Sequence, residues 1–123
     1  MITITTLDGH EVDVAPEAID RIFGPYPHDV GPHTYVHGAT SGTLVTAEAP
    51  DALIGRLGTQ FAKLTRPDGS PVWLAPKACS SVRAPLPGEF DPATHAVVTV
   101  GGAVQAVQET VAAVEAALKV TGA

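Results

Sequence analysis

His28, Asp29, His33 and His37 fall close together and are the one set of residues in this chain with the donor types of a metal site. On a helix, His33 and His37 would share a face and converge on one ion. Pro32 and the β-branched run Thr34 to Val36 favour extended backbone instead, in which four residues span about 13 Å, too far for two ligands of one metal. The histidines are therefore expected on a loop and a strand surface, and no metal is expected. Covalent chemistry has as little support. Ser80 and Ser81 have no base at a telling distance along the chain, and Asp8 with Glu11, or Glu17 with Asp20, read as solvated surface acids. There is no nucleophile elbow, HExxH, CxxC or P-loop. The expectation is a protein that is not an enzyme and holds no cofactor.

The elements that must position these residues come in two copies. Laid over 5–34 with a shift of sixty, 65–94 repeats Thr5, Asp8, Gly9, Val12, Ala15, Pro16, Ala18, Pro25, Pro27, Pro32 and Thr34, eleven identities in thirty positions. One inserted residue later the echo resumes, Glu48, Ala52, Leu53 and Leu57 meeting Glu109, Ala113, Val114 and Leu118. Two repeat units follow, 1–59 and 60–123. Each is at the lower edge of what can bury its own core, so they are expected to pack as one compact body.

Within the first unit, Ile2 and Ile4 alternate with threonines, Asp8-Gly9 supplies a tight turn, and Val12 and Val14 resume the alternation, the pattern of a β-hairpin. Ala15-Pro16 ends it, because proline gives no N–H to a ladder. A third strand carries Ile19 and Ile22, a proline-rich loop runs from Gly24 to His33, and Thr34 to His37 with Leu44 to Glu48 form a second hairpin. Pro50 opens a helix and Gly58 closes it. The second unit repeats the order with Ala62 to Thr65, Val72 to Leu74, Cys79 to Ala84, Ala96 to Val100 and Val104 to Gln108. Its helix, Glu109 to Lys119, carries Val111, Val114 and Leu118 on one face. The fold class is thus mainly β or α+β: two repeated five-stranded, strongly bent antiparallel sheets of SH3-like barrel type, each followed by a C-terminal helix, packed about a pseudo-twofold.

Where the copies differ, they point to function. Trp73 replaces Asp13, and if Val72 and Leu74 are the inward alternates of their strand it points outward. There, beside Pro71, it is either covered by the other unit or offered to a partner as an aromatic anchor. Lys77 replaces Glu17 and makes the same face less acidic. Trp73, Pro71 and Lys77 are the candidate partner-binding residues. Cys79 takes the slot of Ile19, which predicts a small buried hydrophobe rather than a reactive thiol.

The net charge of −6 sits in the first unit, where eight acids face Arg21 and Arg56, while the second holds five acids and five bases. That argues against nucleic-acid binding, which needs a basic stripe. No apolar run approaches a membrane span, and MITITTLDG lacks a signal peptide's regions, so a membrane partner is not expected. Ile4 to Gly9, Val12 to Pro16 and Glu48 to Leu57, with Asp68-Gly69, Val72 to Pro76 and Glu109 to Leu118 in the second copy, resemble the FlbD-like family of small flagellar and swarming-motility proteins, whose members are single-copy. The second copy, with PVWLAP and VVTVGGAVQAVQET, is also similar to small virion proteins of tailed phages of high-GC bacteria. The latter likeness implies a structural protein, a capsid decoration or minor head component made in the host cytoplasm and carried in the virion. Its partners would be other protein subunits, self-association into a homo-oligomer included. The former implies a cytoplasmic flagellar assembly or regulatory factor.

Overall fold

A computed structural model of the chain describes residues 2–24, 33–38, 43–58 and 61–122. The fold is mainly β, with ten antiparallel strands and two α-helices among the described residues, and one order of elements runs twice. The first pass is β1 (Ile2–Thr5), β2 (Glu11–Val14), a single 3-10 turn (Pro16–Ala18), β3 (Arg21–Phe23), β4 (Thr34–His37), β5 (Leu44–Thr46) and α1 (Pro50–Leu57). The second is β6 (Ala62–Thr65), β7 (Pro71–Leu74), a 3-10 turn (Pro76–Ala78), β8 (Cys79–Arg83), β9 (Ala96–Val100), β10 (Ala103–Val107) and α2 (Val111–Gly122).

The prolines that open both 3-10 turns and α1 sit where a missing N–H costs nothing. Leu53 and Leu57, four apart, give α1 its buried face, and Val114 does the same for α2. Glu109, just before α2, accepts from the Thr65 amide and hydroxyl, both at 2.9 Å, and so ties the end of β6 to that helix.

Strand pairing departs from the expected two five-stranded sheets, one per unit. The hydrogen-bonded sheets have two, three and five strands, ordered β1-β2, β10-β9-β8 and β5-β4-β3-β7-β6. The five-stranded sheet draws on both units: β3 of the first lies antiparallel to β7 of the second, with Ile22 opposite Trp73 and Phe23 opposite Val72. Elsewhere the hairpins touch their own unit at the ends. Thr6 bridges Thr46, the Leu7 amide donates to the Val45 carbonyl at 3.0 Å, and the Gln108 amide donates to the Thr65 carbonyl at 2.8 Å. The pseudo-twofold is not realised in the pairing. A twofold would map β3·β7 onto a matching β8·β2 pair, and among the described residues β2 pairs only with β1 and β8 only with β9.

The shared sheet divides two cores. One face carries Ile22, Val36 and Trp73 against Ile4, Val14, Ile19, Leu53 and Leu57 of the first unit; the other carries Phe23, Leu64, Val72 and Leu74 against Val98, Val100, Val107 and Val114 of the second. Each unit thus completes its core with a strand of its neighbour. No described helix is long and apolar enough to cross a membrane.

Candidate protein interaction site

Trp73 is not on the surface. It is 4% exposed and joins the first unit's core beside Ile22, with the Lys63 ammonium 5.6 Å from the ring centroid. Of the two settings expected for an outward Trp73, cover by the other unit is the one seen. β7 lies inside a sheet with a core on either face: Val72 and Leu74 face the core of their own unit and Trp73 faces that of the first, so the ring is not an accessible partner anchor. Cover on both faces was signalled in the sequence, since Val72-Trp73-Leu74-Ala75 is an unbroken apolar run where the first copy has Val12-Asp13-Val14. Pro71 pairs with Thr65 at the start of β7 and is partly buried, which leaves Lys77, exposed in its 3-10 turn, as the accessible member of the set.

His28 and Asp29 lie outside the described residues. His33, just before β4, and His37, at its end, are both partly buried, and the described residues hold no group of three or more potential metal ligands. His37 belongs to a polar cluster that sequence reasoning missed. Arg21 donates to the Gln105 side-chain oxygen at 2.6 Å and meets His37 Nδ1 at 3.2 Å, while His37 Nε2 lies 3.3 Å from the Thr43 hydroxyl. Arg21 thereby links β4 of the first unit to β10 of the second. Burial first, and the Arg21 cation next, hold the His37 imidazole below its ordinary value of 6.5, with Asp20 opposing them. The unfolded chain therefore takes up this proton more readily than the folded one. The stability due to neutral His37 is complete above the ordinary value and is lost as the pH falls through the lower folded value. Denaturation midpoints measured from about pH 7 down to pH 5 should fall more steeply for the wild type than for His37→Gln; parallel slopes would contradict this.

Cys79 is half-buried and donates weakly to the Ala75 carbonyl, S to O 3.4 Å. Burial, with the Asp20 carboxylate second, pushes its thiol up to about 11. Because the thiolate is the nucleophile, a water-soluble thiol reagent should label the native protein slowly and the denatured protein fast. Fast native labelling would place the side chain outside its Ile19-like slot. Ser81 donates to the Thr99 hydroxyl at 2.8 Å on the exposed face of its sheet. Asp8 serves its own turn, held down to about 2 by the Thr6 hydroxyl and then by His10.

β2 and β8, the counterparts of β7 and β3, have unpaired edges among the described residues. The Thr6 amide bonds the His10 carbonyl at 2.8 Å, and this fixes the phase of the first hairpin. Val12 and Val14 then bond to β1, while the backbone groups of Glu11 and Asp13 point to the far side of β2. In the second hairpin the same phase, set by the Arg66 amide on the Ser70 carbonyl at 2.8 Å, turns Trp73 and Ala75 toward β3, and the Ala75 amide does bond Asp20 there at 2.8 Å. β8 is likewise bonded on one side only among the described residues, with Ser80, Ser81 and Arg83 exposed. Glu11 and Asp13 are exposed on the other edge. Compared with protein-family models, with curated proteins and with solved structures, the chain matches none of them.

Proposed function

We propose that the chain is a non-enzymatic structural protein, a virion accessory of the capsid-decoration or minor-head kind, that docks its strand edges onto neighbouring protein subunits, and that each repeat is a strongly bent, SH3-like roll. The observation that carries the docking reading is that, among the strands bonded on one side only in the described residues, β2 and β8 are the counterparts of the two strands that join the units, β7 and β3. An unpaired edge is a row of backbone donors and acceptors, and adding a strand to it is a common way for proteins to join. The seam β3·β7 supports the same reading, because there the chain already joins two folded units by edge pairing. The bend of each repeat is supported by the hairpin ends that reach β5 and β10.

The test is mass spectrometry of gradient-purified particles from cells that make the protein. A fixed copy ratio to the major capsid protein is expected. Recovery solely in the soluble fraction, bound to a flagellar export or transcription factor, would replace this reading with that of a cytoplasmic regulator.

A further inference from the structure

The duplication gives the seam β3·β7 a twin. β8 is the counterpart of β3, and β2 is the counterpart of β7, so the pairing that joins the units has a second version, β8·β2, which the described residues do not form within one chain. We propose that this second seam forms between two copies of the protein, β2 of one antiparallel to β8 of the other, with Asp13 opposite Val82 and Val12 opposite Arg83. The inference rests on the reading that the chain docks through its strand edges, and names a second copy as the partner.

Three features carry it. The internal seam places Trp73 opposite Ile22 and Val72 opposite Phe23, and a shift of sixty turns these pairs into Asp13 with Val82 and Val12 with Arg83, so register and direction are fixed without adjustment. The backbone groups of Asp13 already face outward, as those of Trp73 do in the seam that exists. The charges are opposite. The β2 edge and its following turn carry Glu11, Asp13 and Glu17 with no base, and the β8 edge and its preceding turn carry Lys77 and Arg83 with no acid, all exposed. Arg83 also pairs with Glu89 at 2.7 Å in the loop beyond, so Lys77, which this register sets one position away from Glu17, is the main cationic contact. The internal seam is sealed by Trp73 and Phe23, whereas this one has acids and bases in the corresponding places. It is therefore reversible and weakened by salt. A heterologous contact of this kind closes into a ring or runs on as a filament.

Single cysteines read the seam directly. In a Cys79→Ala background, Asp13→Cys and Val82→Cys proteins are mixed at low salt under mild oxidation, circular dichroism having confirmed that each is folded. The mixture is expected to yield a disulfide-linked dimer and each variant alone to remain uncrosslinked, because only unlike edges meet. The yield should drop several-fold when salt is raised to about 1 M. Sedimentation velocity of the unmodified protein should show mass above the monomer that rises with concentration. Cross-linking of Asp13→Cys with itself, or a protein that stays monomeric and uncrosslinked in the mixture, would overturn the proposal and make the edge charges a guard against pairing. If the mixture fails while the chain is still found at a fixed ratio in particles, this inference alone falls; absence from particles would count against the virion reading instead.

Discussion

Replacing Trp73 by alanine should cost about 3–5 kcal/mol of unfolding free energy, the range for removing a large aromatic from a packed core. The side chain fills the wall that the second unit lends to the first, against Ile22 and its neighbours, and its loss leaves a cavity between two units rather than within one. The Lys63 contact over the ring is lost as well. In urea titrations the midpoint should fall with little change in slope, since the surface exposed on unfolding is nearly the same. A loss under about 1 kcal/mol would mean a side chain that is not sealed, and would restore the surface-anchor role.

Gly38→Ala is expected to have the next largest effect, and its cause can be separated by a cycle. Gly38 and Gly101 have φ of +96° and +56°, and an added Cβ at either would lie 2.6 Å and 2.3 Å from the Asp20 carboxylate. Asp20 cannot retreat with its backbone, because its amide bonds His37 at 2.9 Å and its carbonyl accepts from Ala75 at 2.8 Å. Left-handed backbone at a residue other than glycine costs on the order of 1–3 kcal/mol, to which the collision adds. At Gly101 every close atom belongs to the Asp20 side chain, so Asp20→Ala should recover much of the Gly101→Ala loss. At Gly38 the Ala18 carbonyl oxygen, 2.9 Å from the new Cβ, stays in the way, and recovery should be smaller. Additive losses in both cycles would show that Asp20 does not fill the space beside these glycines.

Much of the local structure was legible in the sequence. The alternation of Ile2 to Thr5, the turns at Asp8-Gly9 and Asp68-Gly69, and the prolines at 16, 50 and 76 place strands, turns and helix starts within a residue or two of where they lie. These features are set by neighbours along the chain, and the second copy provided a check on the first. Which strand lies beside which is a different matter. Nothing within Arg21-Ile22-Phe23 names β7 as its neighbour, because edge pairing is decided by cores that assemble from distant segments. For Trp73 the alternation was read correctly, with Val72 and Leu74 toward their own unit's core and Trp73 away from it, but nothing in the strand said whether the other unit or a partner covers that face. The link from Arg21 to Gln105, which are 84 residues apart, could not be found from spacing at all.

Hydrogen exchange at the seam is the most direct measurement of the central claim, that strand pairing across β3·β7 makes the two repeats one folding unit. The Ala75 amide, bonded to Asp20 of the other repeat, should exchange only through global unfolding, at the rate of core amides in both repeats and with the full denaturant dependence of the protein. At protein concentrations low enough to keep the chain monomeric, the outward Asp13 amide of β2 should exchange fast. An Ala75 amide that exchanges as freely as Asp13 while the core amides of each repeat stay protected would contradict the account, since the repeats would then be separate units without a seam.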